Sequence, residues 1–366
     1  MTAITEDSIA EAIKAAPGPL RIRGGGTRDI GNPVVGDVLD VSGLSGISLY
    51  EAGALTLVAQ AGTPVAEIEA ALDAENQRLA FEPMDHRALL GTKGTPTIGG
   101  VVAANVSGPR RIAVGACRDH MLGVRFVDGA GTILKNGGRV MKNVTGYDLV
   151  KLMSGSYGTL GVLTEVSLKV LPKPETSATL RVEGLSTVQA VAAMSAALGS
   201  PYEVTGAAHT DATYLRIEGF DASVAYRTGQ LTALLGPYGE VTVLDAMATG
   251  TLWTGIRDVT AFAKTEGDVW RISVKPSDAP QVIAALPDGT ETQLDWGGGL
   301  IWACTPAGTD IRPLATAGHA TLIRAGAETR AALPVFEPQD HVTETLSQGL
   351  RQKFDPRGIL NPGLMA

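Results

Sequence analysis

The stretch Arg21-Ile22-Arg23-Gly24-Gly25-Gly26-Thr27-Arg28 decides how this chain is read. Leu20 to Arg23, bounded by proline and glycine, reads as a short strand, and three glycines follow it directly. Free of Cβ atoms, the main chain there can turn so that several N–H groups point the same way. Such a hollow binds an anion, above all a pyrophosphate, and the Thr27 hydroxyl offers a further donor. An ordinary flexible loop competes with that reading for this octet alone. Two familiar phosphate sites are excluded: no Gly-x-Gly-x-x-Gly opens a long helix, and no Lys-Ser or Lys-Thr follows the glycines.

Two more glycine-rich stretches lie downstream in the same half. Thr95-Pro96-Thr97-Ile98-Gly99-Gly100-Val101-Val102-Ala103-Ala104-Asn105-Val106-Ser107-Gly108 suits a short, tightly packed helix whose N-terminus faces an anion or a ring edge. A buried helix that uses glycine for close packing is the alternative. Met153-Ser154-Gly155-Ser156-Tyr157-Gly158-Thr159-Leu160-Gly161-Val162-Leu163-Thr164-Glu165 puts glycines just before a long strand, where a flat ligand can lie against the main chain. Together and in this order, the three stretches point to one ligand site.

Composition narrows the rest. A chain of 366 residues suggests two domains, and 44 % hydrophobic residues suffice for a sizeable core. A net charge of −8 argues against a protein that tracks nucleic-acid phosphates, and 5 % aromatics leave little for base stacking. No apolar run is long enough to span a membrane, and Met1 to Ala10 lacks the order of a secretory signal, so a cytoplasmic protein is expected. Cys117 and Cys304 suggest neither a disulfide framework nor, by themselves, a structural zinc site. Glycine is the outlier: 45 residues, crowded between Gly24 and Gly161.

Periodicity and turn residues predict a helix over Ile4 to Ala16, short strands at 20–23, 38–41 and 54–60, and a helix from Pro64 to Glu75 with Thr63 as its N-cap. Met121 to Val127 and Thr132 to Leu134 read as a hairpin, and Gly161 to Leu171 as a long strand closed by Pro172 and Pro174. A domain boundary is expected near Pro174. From Thr179 to Leu244 the order β-α-β-β-α-β fits a ferredoxin-like layer with its helices on one face. Helical and extended pieces continue to Ala285, a helix is expected over Glu344 to Phe354, and no internal repeat is evident.

The three glycine-rich stretches resemble the flavin-binding domain of the vanillyl-alcohol oxidase and p-cresol methylhydroxylase superfamily, and more closely the E-type flavin-binding subunits of bacterial glycolate oxidases. Supporting stretches are Gly108-Pro109-Arg110-Arg111, Arg118-Asp119, Val140 through Leu149, Leu163 through Pro172, Trp270-Arg271-Ile272-Ser273, Ser277 through Pro280, Asp295 through Gly298 and Asn361-Pro362-Gly363. The resemblance implies an α+β fold: a FAD-binding domain of the p-cresol methylhydroxylase (PCMH) type over 1–174, a ferredoxin-like cap over 175–330, and a C-terminal tail, 331–366, that returns to the FAD domain. It implies that Gly24, Gly25, Gly26 and Thr27 hold the FAD pyrophosphate. Thr97, Gly99, Gly100, Asn105 and Gly108 would line the ribityl and ring region, and Gly161 and Val162 would meet the flavin through the backbone. Some relatives attach flavin through a histidine where this chain has Gly26, so non-covalent FAD is expected.

Departures from the pattern bear on mechanism. Hydroxy-acid dehydrogenases of the superfamily carry a His-x-Gly-Asp-Gly-Asn-x-His stretch that helps bind a divalent metal. The matching register here is Asp295 to Trp302, with both histidines replaced, and an indole N–H only donates. A Glu-His pair of relatives falls on Ile323-Arg324. No metal site is therefore expected. The five histidines form no His-x-His or His-x-x-x-His pair. His319 is the best imidazole for proton traffic and Arg271 the best grip for a carboxylate, against a surface histidine and a plain ion pair. Arg110-Arg111 and Arg118 read as phosphate neutralisers, a subunit contact or a solvated basic loop, and Asp85-His86-Arg87 follows a segment that skirts the flavin in relatives.

The resemblance implies a flavin-carrying subunit of a complex oxidising glycolate, a 2-hydroxy acid, to glyoxylate. Expected partners are a second flavoprotein subunit bearing the metal-binding site and an iron–sulfur subunit, since two cysteines cannot hold a cluster. The complex would reach the inner membrane, if at all, through those partners. The alternatives are a self-sufficient FAD-dependent 2-hydroxy-acid dehydrogenase using Arg271 and His319, and a scaffold with vestigial FAD.

Overall fold

A computed structural model describes residues 4–139, 146–315 and 318–366. The stretch Val140 to Thr145, part of the sequence resemblance, lies outside the described residues. The chain opens on a helix, Glu6–Ala15, whose first turn is closed by a reciprocal pair of Thr5 and Ser8 hydrogen bonds. Its buried face carries Ile9, Ala10 and Ile13. These pack on Leu20, Val41, Val127, Val162, Ile359 and Leu360, so the first strand and the chain's end share one small core. Leu20–Arg23 pairs in parallel with Asp37–Asp40, one residue earlier than the sequence suggested.

A five-stranded antiparallel sheet follows, in the order Ile47–Glu51, Thr56–Gln60, Val162–Lys169, Met121–Val127, Ile133–Gly137. One face buries Leu57, Ala59, Val124, Val166 and Leu168 against the helices Val65–Asp73 and Ile98–Ala103. Pro64, not Thr63, occupies the N-cap of the first of these helices. Thr63 instead donates its hydroxyl to the Gln60 and Gly46 carbonyls, tying the preceding turn rather than the helix.

The second half is one eight-stranded sheet, in the order Val241–Leu244, Thr176–Glu183, Ala212–Gly219, Gly206–His209, Glu291–Asp295, Leu300–Thr305, Asp268–Val274, Gly318–Arg324. Its first four strands, with helices Thr187–Leu198 and Asp221–Leu235, have the ferredoxin-like order of fourth, first, third, second. The last four strands repeat that order in mirror sequence along the sheet, with helix Ala279–Ala285 as the first crossover. The two sets join where His209 meets Leu294. A structural repeat is therefore present where none was read, because its second copy lacks the second long helix. The two helices of that first unit pack into one core, and the helix that follows it, Ala246–Arg257, lies on the opposite side, with Trp253 and Ile256 against Ala208, Ala212 and Tyr214.

The face of the sheet carrying Val269, Leu300, Trp302 and Ile323 is buried in the same core as Met84, Leu89 and Val106 of the first half. The tail then crosses back. Leu20 N–H donates to the Ile359 carbonyl, and Asn361 N–H to the Leu20 carbonyl, at 2.7 and 2.9 Å. Among the described residues no helix is long and apolar enough to cross a membrane.

Candidate cofactor site

A cavity of about 390 Å³ opens where the first strand, the helix Ile98–Ala103, the start of the long strand and the tail converge. Gly24, Gly25, Gly26, Thr27, Thr97, Gly99, Gly100, Gly161 and Val162 all line it. Arg28, Tyr157 and Asn361, none of them among the expected cofactor-binding residues, line it too. Asn361 is the tie: its side-chain oxygen accepts from Ile22 N–H and its amide donates to the Tyr157 carbonyl, each at 2.8 Å. Asn105 and Gly108 stand off this wall. Asn105 accepts from Arg118 N–H at 3.0 Å, and Gly108 sits where a Cβ would come within 2.3 Å of the Glu82 carbonyl.

The donors of the cavity belong to one loop. Among the described residues, nothing accepts from the main-chain N–H of Gly24, Gly25, Gly26 or Thr27. Thr27 is buried, Gly24 and Gly25 are half-buried and Gly26 is exposed; buried amides are almost always paired, so this row of free ones beside a cavity offers its donors to an acceptor. The helix Ile98–Ala103 differs from expectation here. Its Ile98 and Gly99 amides donate to the Thr63 and Ala61 carbonyls, and Gly100 N–H goes to the Thr97 hydroxyl. Its N-terminus is thus already satisfied by protein, and the anion-binding donors lie in the glycine loop instead. Gly25 is fixed by a close approach: a Cβ there would stand 1.5 Å from the Thr95 carbonyl oxygen. Gly26, at φ +67°, supplies the left-handed turn.

On the cap side, Arg271 and His319 share one sheet face, paired at the Cα level with Thr321 and Ser273. Neither lines the glycine-loop cavity, and His319 is exposed. Arg271 makes no ion pair among the described residues and lies over the Trp296 ring at 5.2 Å; Arg111 lies over the same ring at 4.4 Å. Burial pushes the Arg271 guanidinium down to about 10. Tyr157 senses the charges of both Arg271 and Arg28, which offset part of the upward push of burial on its phenol. Arg110 is neither a solvated basic residue nor a phosphate ligand. It is buried, and pairs with Glu218 at 2.7 Å and Glu82 at 2.9 Å inside the chain.

Over 355 residues the chain is 40 % identical to glycolate oxidase subunit GlcE of Escherichia coli (strain K12), covering 95 % of this chain and 92 % of that one. It belongs to the GlcE family of glycolate oxidase subunits. Residues 1–137 match the FAD binding domain family, and the family's names place its members in a multi-subunit glycolate oxidase. A further 84 residues' worth of similarity, 46 % identical, links 23 % of this chain to 18 % of glycolate oxidase subunit GlcD of Bacillus subtilis (strain 168). Among solved structures, alkyldihydroxyacetonephosphate synthase superposes with a TM-score of 0.69 at 15 % identity, over 98 % of this chain and 74 % of its own, which shows a shared α+β fold.

The free amides and the absent Cβ atoms along the cavity fit FAD, whose diphosphate needs such donors. The metal-binding histidine register of hydroxy-acid dehydrogenases fits nothing comparable. Trp302 is buried in the core, and Ile323 with it. Arg324 donates to the Phe262 and Thr265 carbonyls. Asp295 is buried at a strand end, accepts from Trp296 N–H at 2.7 Å, and is pushed up to about 7, chiefly by burial, against that bond and the Arg216 charge. Among the described residues no three His, Cys, Asp or Glu side chains gather to hold a metal.

Asp295 therefore weakens the fold as pH rises. Its folded pKa lies above the ordinary ~3.9, so the unfolded chain loses that proton first and stability drains away between about pH 4 and pH 7. Asp295→Asn, which keeps the acceptor for Trp296, is expected to melt higher than wild type at pH 8 and at the same temperature near pH 4. Melting curves at the two pH values check this.

Proposed function

We propose that this chain is the flavin-carrying subunit of a glycolate oxidase complex that converts glycolate to glyoxylate, acting in electron relay or assembly and not as the metal-assisted hydroxy-acid site. The observation that carries the reading is the row of unpaired amides at Gly24 to Thr27 beside the cavity. FAD, when bound, supplies the redox chemistry; the chain supplies binding, orientation and electrostatics. Gly24 to Thr27 would hold the diphosphate. Thr97, Gly99 and Gly100 would line the middle of the cofactor, and Gly161 and Val162 would support it through the backbone. With Gly26 at the place where some relatives carry a linking histidine, the cofactor is held non-covalently.

In this reading residues 1–174 form the FAD-binding domain and 175–330 the cap, while 331–366 close the cavity from the tail side through Asn361. The partners are a second flavoprotein subunit that grips the hydroxy acid through its metal, and an iron–sulfur subunit. The chain works in the cytoplasm, at the inner membrane only through those partners. A second reading rests on Arg271, a half-buried guanidinium without a carboxylate among the described residues: the chain oxidises a 2-hydroxy acid itself, with Arg271 gripping the substrate and His319 moving its proton.

Anaerobic mixing separates the two. The isolated FAD-loaded chain is expected to keep its yellow absorbance with glycolate, whereas the assembled complex bleaches. Bleaching of the isolated chain would shift the assignment to the second reading.

A further inference from the structure

Arg78, Arg110 and Arg216, between the halves, each meet Glu82 or Glu218 within 2.9 Å. Arg28, in the cavity wall, meets no carboxylate among the described residues, and neither does Arg271 across from it. The exposed part of Arg28 faces the cavity, and its bonds go to neutral groups, Nε to His86 Nδ1 at 3.2 Å and a terminal nitrogen to the Met84 carbonyl at 3.4 Å. Asp85, the carboxylate whose charge bears on Arg28, is held in a fork by Arg87 at 2.7 to 3.1 Å. Nδ1 of His86 also lies 3.3 Å from the Met84 carbonyl; where it accepts from Arg28 the ring proton is on Nε2, and burial together with the Arg28 charge pushes the imidazole down to about 3, so the ring is neutral. His86 therefore aims the guanidinium without cancelling its charge.

A half-buried cation without an anion carries part of the cost of desolvation, which an anion arriving in the cavity relieves. FAD offers two. The diphosphate already has the four loop amides. The ring becomes an anion on reduction, since two electrons and one proton added to a neutral ring leave one negative charge. Position favours the ring. The guanidinium reaches past the glycine loop and over the helix Ile98–Ala103, 3.1 Å from where a Gly100 Cβ would stand, and its charge is felt at Tyr157 together with that of Arg271 from the cap. Its bonds to His86 and Met84 carry it away from the glycine loop, toward the core that Met84 shares with Val269, Leu300 and Trp302 of the second half.

We propose that Arg28, aimed by neutral His86, is a positioning residue that holds an uncompensated positive charge beside the flavin ring and so favours the reduced, anionic ring. This rests on the reading of the cavity as the FAD site.

The test uses the full-length chain loaded with FAD, with the two-electron midpoint potential and the Kd for oxidised FAD measured at pH 7. Arg28→Gln is expected to cut the preference for the reduced form about tenfold, a fall of about 30 mV, with the Kd for oxidised FAD changed less than about threefold. Arg28→Lys keeps the charge and is expected to recover most of that potential. His86→Asp sets a carboxylate against the guanidinium and is expected to lower the potential while Arg28 remains, so it decides the matter should Arg28→Gln fail to fold. Unchanged potentials in the substituted chains would overturn the proposal. So would an Arg28→Gln chain that no longer takes up oxidised FAD, which would assign the charge to the diphosphate. Wild-type protein that takes up no FAD would instead bring down the functional reading itself.

Discussion

The Gly25→Ala chain is expected to emerge colourless, with its affinity for FAD reduced at least about 100-fold, or about 2.7 kcal/mol. The cause is geometric. A methyl group at Gly25 would sit 1.5 Å from the Thr95 carbonyl oxygen, and both partners are backbone, so no side chain can swing aside. The two loops must separate, and the amides of Gly24 to Thr27 move with them. Gly94 provides a control in the same contact: its own Cβ would fall 1.7 Å from the Gly25 carbonyl oxygen, yet Gly94 does not line the cavity. Gly94→Ala is therefore expected to lose FAD as well, through displacement of the loop rather than intrusion on the ligand. Overpacking of this kind costs about 1–3 kcal/mol of stability, so melting curves must show both chains still folded. Visible absorbance and a FAD titration read the rest. Within the complex, relay predicts that glycolate oxidation disappears along with the flavin, while a scaffold with vestigial FAD would keep it.

The same loop marks how far the sequence could be read. Glycines at Gly24 to Gly26 after a strand are a local signal, and their place in a cavity follows from local geometry. What the neighbouring helix does with its first amides is not local. The Thr63 and Ala61 carbonyls that consume them come from a different segment, so the helix looked like an anion site and is not one. Arg28 was not among the expected cofactor-binding residues for the same reason, since its significance depends on His86, 58 positions away, and on the lack of a carboxylate partner among the described residues. In the cap, the first β-α-β-β-α-β unit was legible because two long helices punctuate it. The second was hidden because, among the described residues, only one helix, Ala279–Ala285, punctuates it. The arginine pair Arg110-Arg111 looked like one basic patch. Folding sends the first into a buried ion network and the second onto an indole face.

Glu82→Gln is expected to destabilise the chain by about 3–5 kcal/mol, the cost of leaving buried cations without their anion. Glu82 accepts both terminal nitrogens of Arg216 at 2.9 Å and lies 2.9 Å from Arg110, while Glu218 binds Arg110 and Arg78. Arg78, Glu82 and Arg110 come from the first half and Arg216 and Glu218 from a central strand of the cap, so the network clamps one half to the other across the side that Gly108 and Trp296 also bridge. Burial alone would raise the Glu82 carboxyl, but the charges of Arg216 and Arg110 outweigh it and hold the pKa below the ordinary value; Glu218 is depressed in the same way by Arg110, Arg216 and Arg78. A depressed folded pKa means that the stabilisation is complete above the unfolded value of ~4.3 and is lost as pH falls through the folded one. The wild-type advantage over Glu82→Gln should therefore be full at pH 7 and shrink on acidification below about pH 4. If the network acts as a paired unit, Glu82→Leu combined with Arg216→Met recovers much of what either change loses alone, because replacing a buried pair by apolar groups is far cheaper than orphaning one member. Denaturation curves of the single and double variants measure that coupling. A coupling energy near zero would mean that Glu82 and Arg216 are merely neighbours, and that the halves are held by the apolar contact of Trp302 and Leu300 with the flavin domain alone.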